Sequence, residues 1–218
     1  MDSLDININE TIKFIVDELD KLKIELTKGT NVRFHHNTSY KNAPLVCKYG
    51  ILTLLDLNKI GLRNDTSETL EKLNDTESHI NGNNGVSLAR VGLKDLYDGE
   101  NEYDPFDPRK VDFTLSDDVK AYRNSIHYGN EYISCKSIEN DKILTIDVRI
   151  LEYIDKCKSK EDLKELINMY NSLIDISQII NENDLDISIR EMSGINNFSI
   201  DTIRLAKSKK IQFNRASA

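Results

Sequence analysis

Two of the chain's four histidines stand side by side, His35-His36, at the end of the strand-like run VRFHH and just before Asn37-Thr38-Ser39. Strand alternation places Val32, Phe34 and His36 on one face and Arg33 and His35 on the other, so His36 ends the apolar face where a strand leaves a core and meets a cleft. An imidazole with the ordinary pKa of about 6.5 is neutral at pH 7 and can donate or accept there. The second group is a carboxylate. Glu131 opens the strand-like run EYISC and is followed by apolar Ile133, and a carboxylate at a strand's entry can project into a cleft. Taken singly, each has a plain structural reading: a loop-edge histidine, and a solvated charge that discourages edge pairing. The two readings to decide between are chemistry on a nucleotide-like ligand and chance placement in a loop.

The totals restrict what such a pair can belong to. With 218 residues, 39% hydrophobic and 30% charged, the chain is long and apolar enough for one full domain with a sizeable core and room for a small appendage. A formal net charge of −8 sets an acidic surface against a phosphate backbone, which argues against a general nucleic-acid binder and leaves room for a local basic groove. Apolar runs such as ILTLL (51–55) are too short to span a bilayer, and MDSLDININE lacks the basic-then-apolar layout of a secretory signal. Cys47, Cys135 and Cys157 are odd in number and widely spaced, which suits a reducing, cytoplasmic location. His79 and His127 have no Cys or Asp at zinc-ligand spacing, so no metal is expected.

The elements that must position these groups can be read from periodicity. Ile8, Ile12, Ile15, Leu19, Leu22 and Leu26 form one helical stripe, with Asn7 and Glu10 as a capping box and Gly29 as terminator. After VRFHH the pattern predicts a short helix over 42–49 stopped by Gly50, then a polar, turn-rich stretch from Asn58 to Gly85. VSLARV (86–91), VDFTLS (111–116), EYISC (131–135) and KILTIDVRI (142–150) read as strands, and DDVKAYRNS (117–125) as a short helix. The acidic loop 95–110 reads as solvated and substrate-gating. Beyond residue 151 the pattern turns helical: Leu163, Leu166, Ile167, Tyr170, Leu173, Ile174, Ser177 and Ile180 trace one face, Ser159 marks the start, and a last short helix falls around 199–209. The expectation is an α+β chain: an N-terminal helix (1–30) packed on a core (31–155) of mixed or antiparallel sheet, followed by a C-terminal helical extension (156–218).

The order of the motifs resembles that of the ADP-ribosyltransferase superfamily, in particular its His-first branch, the DarT-like and PARP-like group. His36-Asn37-Thr38-Ser39, the helix 42–49 and Gly50-Ile51 look like the opening motif; Val86-Ser87-Leu88 stands where the middle strand lies; Asn130-Glu131-Tyr132-Ile133 looks like the closing motif. The resemblance covers roughly residues 31–150 and rests on order and spacing. It implies split sheets with a cleft, NAD as co-substrate, and transfer of ADP-ribose to a macromolecular acceptor with release of nicotinamide. On that reading Glu131 is catalytic and stabilises a cation-like ribose, and His36 holds a ribose hydroxyl and fixes the dinucleotide. Asn37, Thr38, Ser39 and Ser87 line the site, Thr38 and Ser39 cap the following helix near the pyrophosphate, and Tyr40, Tyr49 or Tyr97 stacks on nicotinamide.

Two positions depart from the family pattern. Asn37 stands where Gly is usual, and Gly129 stands two residues before Glu131, so the two-acid signature of arginine-directed toxins is missing and an arginine acceptor is disfavoured. Two other readings stay open: NAD-dependent RNA 2′-phosphotransfer, which the acidic core disfavours, and a non-catalytic interaction or inhibitor protein, degenerate or of unrelated fold. The acceptor, an antitoxin partner and the oligomeric state are not legible in the sequence.

Overall fold

A computed structural model describes residues 8–21, 33–74, 84–91, 107–123, 131–193 and 198–212. The alternating segments form the strands β1 (Arg33–Ser39), β2 (Val86–Val91), β3 (Lys110–Leu115), β4 (Tyr122–Arg123), β5 (Glu131–Ser134), β6 (Ile143–Val148), β7 (Ser188–Glu191) and β8 (Phe198–Ile200). They join into one eight-stranded sheet of order β4-β5-β2-β1-β3-β6-β7-β8. Every neighbouring pair is antiparallel except β6 and β7, which run parallel. A parallel pair needs a crossover connection, and two helices supply it: α5 (Ile150–Lys156) and the long α6 (Lys160–Glu182). With α1 (Ile8–Lys21), α2 (Ala43–Tyr49), α3 (Leu54–Lys59), α4 (Ser67–Asn74) and α7 (Thr202–Ala206), the chain is the α+β mixture that its periodicities predict.

Cross-strand register sorts the sheet into two chemically different faces. His36, Phe113, Ile146, Ile189 and Ile200 are successive partners along one row, and Val111, Leu115 and Val148 lie on the same face by alternation. All of the aliphatic and aromatic members of this face from β3 to β8 are buried. Helix α6 covers them: Leu163, Leu166, Ile167, Tyr170, Leu173, Ile174, Ser177 and Ile180 are buried, the helical face that the sequence spacing marks. Its start is fixed by a reciprocal capping box between Ser159 and Asp162, which satisfies two otherwise orphaned amides. Ile15 and Leu19 of α1 are buried as expected, and Phe14 meets the Tyr170 ring edge-on at 6.2 Å. Leu22, Leu26 and the helix's proposed cap and terminator lie outside the described residues.

Two expectations fail for identifiable reasons and a third is refined. Residues 117–123 do not form a helix: Ser116 and Asp118 close a tight turn, Lys142 ties Asp118 down at 2.6 Å, and Tyr122-Arg123 instead adds an edge strand to β5. The polar, turn-rich stretch 58–85 also holds the helix α4. Thr53 caps α3 through the Asp56 amide, and buried Asn84 ties the region together by accepting from the Leu55 amide and donating to the Leu73 carbonyl. The C-terminal segment is not purely helical either, since Ser188–Glu191 and Phe198–Ile200 extend the sheet and only Thr202–Ala206 of the 199–209 region is helix.

Glu191 joins the sheet to the crossover. Its carboxylate accepts from the Ile150 and Leu151 amides at the start of α5 and from the Ser193 amide, at 3.0, 3.4 and 2.8 Å, and from the Ser193 hydroxyl. Burial nonetheless dominates and pushes its pKa up from 4.5 to about 7, with those four donors opposing the rise. Between those two values the native state holds a proton that the unfolded chain has released. Glu191's contribution to stability is therefore greatest below about pH 4.5 and declines as pH rises towards 7, by roughly 3 kcal/mol at most. Chemical denaturation across that pH window is expected to show this decline in the wild type. In Glu191→Gln the slope should flatten, whatever absolute stability the variant loses.

Candidate functional site

The β1–β2 ladder is short. It pairs Arg33 with Val91, Phe34 with Arg90 and His35 with Ala89, and there it ends. Beyond that point β1 continues along β3 as far as Ser39–Lys110, while β2 continues along β5 as far as Val86–Ser134. The sheet therefore forks, one prong carrying Asn37-Thr38-Ser39 and the other Ser87-Val86. His36 stands at the root of the fork. Its Nδ1 lies 2.9 Å from the Ser87 carbonyl, so the ring spans the gap that the ladder leaves. A carbonyl can only accept, so Nδ1 carries the proton and Nε2 keeps its lone pair. Burial lowers the His36 pKa, with the Ser87 carbonyl and Asp112 partly opposing, and the ring is neutral at pH 7.

Glu131 opens β5, opposite Ala89, which in turn is opposite His35. Glu131, Ala89 and His35 thus share one row at the last rung before the fork, two strand spacings, or roughly 10 Å, from end to end. His36 is one residue beyond this row and belongs by alternation to the other face, so the row partner of Glu131 is His35. Ser87 is exposed on the β2 prong, and Asn37 and Thr38 are partly buried on the β1 prong. Thr38 and Ser39 do not cap α2: both lie within β1, and Asn42 takes the N-cap position without a side-chain bond. Tyr49 is exposed at the end of α2, with Lys48 over its ring at 5.1 Å. Tyr40 is fully buried in the core, which removes it as a stacking candidate, and Tyr97 lies outside the described residues.

Gly50-Ile51 is anchored structurally. Ile51 and Ile138 exchange two backbone hydrogen bonds of 2.8 Å, tying the segment after α2 to the one that follows β5. Gly50 has φ of +80°, and a Cβ there would lie 2.2 Å from the Ile138 carbonyl oxygen, so only glycine fits the approach.

The face shared by His35 and Asn37 carries the polar groups that the sequence reading left out. His35 Nδ1 meets Asp112 Oδ2 at 2.7 Å, with the Thr114 hydroxyl 3.4 Å from the same nitrogen. Asp112 is the direct cross-strand partner of Asp147, and Asp147 of Arg190. The guanidinium closes the chain with a fork-on-fork pair, Nε to Oδ1 and Nη2 to Oδ2, both 2.6 Å. Burial raises the Asp112 pKa first of all; His35 opposes the rise and Asp147 adds to it. A signal for this chain of groups was present in the sequence. Asp112 and Asp147 interrupt the apolar runs Val111-Asp112-Phe113 and Ile146-Asp147-Val148, and a carboxylate in the middle of such a run needs a partner.

Among the described residues no helix is long and apolar enough to cross a membrane, and no group of three His, Cys, Asp or Glu side chains is placed to hold a metal ion. No protein-family model, no curated protein and no solved structure matches the chain.

Truncating one member of the Asp147–Arg190 pair strands a charge in a buried setting. Arg190→Met is expected to cost about 3–5 kcal/mol in denaturant melts, whereas Arg190→Met combined with Asp147→Leu recovers most of that loss.

Proposed function

We propose that this protein is an NAD-dependent ADP-ribosyltransferase that cleaves the bond between nicotinamide and ribose and passes ADP-ribose to a macromolecular acceptor. One observation carries the reading: the strands bearing His36, Ser87 and Glu131, widely separated in sequence, are immediate neighbours, β1-β2-β5, and the sheet forks where those residues lie. The resemblance leads to an expectation of split sheets with His36 and Glu131 in one cleft; the strands instead join one eight-stranded sheet in which alternation gives these two residues opposite faces, and it is the adjacency of the three strands that supports the reading.

The reaction passes through a ribose with strong cationic character. A carboxylate at position 131 stabilises that charge and holds the adjacent 2′-hydroxyl, and its effect is greatest when water is excluded. Neutral His36, fixed by the Ser87 carbonyl, offers Nε2 as an acceptor for a ribose hydroxyl and so orients the dinucleotide. Asn37, Thr38, Ser39 and Ser87 line the two prongs, and Tyr49 is the exposed aromatic of the opening motif. Net charge of −8 favours a protein acceptor over a nucleic acid. An antitoxin partner and a cytoplasmic site of action accompany this reading.

The test is incubation with labelled NAD and candidate macromolecules, with free nicotinamide measured in parallel. Wild type is expected to release nicotinamide, and Glu131→Gln to lower the rate by about a hundredfold or more. Equal rates in the two proteins would remove Glu131 from the chemistry. Absence of any calorimetric heat with NAD would instead favour a stoichiometric binding protein.

A further inference from the structure

We propose that His35 and Asp112 form a proton-accepting dyad that serves the Glu131 row, with His35 Nε2 as the base and Asp112 as its positioning partner; this role rests on the transferase reading above. The geometry is that of a base oriented by a carboxylate. Asp112 Oδ2 accepts from His35 Nδ1 at 2.7 Å, which places the ring proton on that nitrogen and leaves the lone pair on Nε2. Nε2 makes no hydrogen bond among the described residues, and the side chain keeps 11% of its surface exposed.

Asp112 is itself held rigidly. It sits in the centre of β3, is buried, and has Asp147 beside it, whose own charge is taken up by the paired Arg190. The dyad therefore ends a row of adjoining polar groups, Arg190-Asp147-Asp112-His35, in which the two end pairs are hydrogen-bonded and the two carboxylates are cross-strand neighbours. The groups facing His35 are Asp112 and Thr114 from β3, with Asp147 from β6 and Arg190 from β7 behind them. His36 is its neighbour on β1, and Glu131 of β5 shares its row. Between His35 and Glu131 the row contains only Ala89, whose single methyl leaves room over the strand for a small reacting group.

The step balances with water as the simplest acceptor. The water oxygen bonds to the ribose C1′ as the bond from C1′ to the pyridinium nitrogen breaks. That nitrogen keeps the electron pair and leaves as neutral nicotinamide, and the water proton passes to His35 Nε2 and then to solvent. An acceptor hydroxyl or amine takes the same place in transfer.

The experiment uses the full chain and NAD alone, with nicotinamide release followed across the neutral pH range. His35→Gln and Asp112→Asn are each expected to lower kcat by roughly a hundredfold or more while KM moves only a few-fold. If Asp112→Asn disturbs folding, His35→Ala with added imidazole supplies the second measurement, because an external base restores release only where a base was lost. Release that disappears in Glu131→Gln yet keeps its wild-type rate and pH profile in His35→Gln overturns the dyad and leaves the transferase reading standing. Wild type that neither binds nor cleaves NAD overturns that reading, and the dyad's task with it.

Discussion

The arrangement of this molecule depends on where one antiparallel ladder stops. β1 and β2 pair for three rungs and then separate, each continuing with a different neighbour. A sheet that forks must satisfy the groups along its divergent edges, and His36 bridges the opening at its root by donating to the Ser87 carbonyl. The same departure from regular pairing leaves β1 and β2 with different neighbours beyond His35, within one continuous eight-stranded sheet.

A second constraint runs at right angles to the strands. The helix-covered face of the sheet is apolar, while the opposite face carries His35, Asp112, Asp147 and Arg190 in adjoining positions. Buried charges are tolerated when each has a geometrically good partner, and here the two carboxylates are flanked by an imidazole at one end and a guanidinium at the other. Removal of any one member changes the surroundings of the rest. The row crosses four strands, with Arg190 three strands away from His35 in the sheet order.

Much of the fold was legible because its signals are local. The stripe from Leu163 to Ile180, Ser159 as helix cap, Gly50 as a helix stop and the alternation in 86–91 and 111–115 each depend on residues within a few positions of one another. What escaped the sequence was non-local. Residues 117–125 have a helix-like beginning, yet an available edge on β5 and the Lys142–Asp118 pair decide otherwise. Ser188–Glu191 and Phe198–Ile200 are too short to announce themselves; the first becomes a strand because β6 offers it an edge, and the second because β7 then offers one in turn. At the site, alternation correctly separated His35 from His36. It could not reveal that Glu131 falls in the row of His35, since register between β2 and β5 is set by pairing across more than forty residues.

The parallel step from β6 to β7 has a consequence for the order in which the molecule can be completed. During synthesis β6 emerges well before β7, because the whole crossover of α5 and α6 lies between them. Until Arg190 arrives, Asp112 and Asp147 are adjacent acids in a half-built sheet, with only the imidazole to balance them. The nascent chain therefore cannot lock its polar face, and with it the fork, before almost nine-tenths of its residues have been made. The polar face is thus among the last parts of the sheet that synthesis can complete.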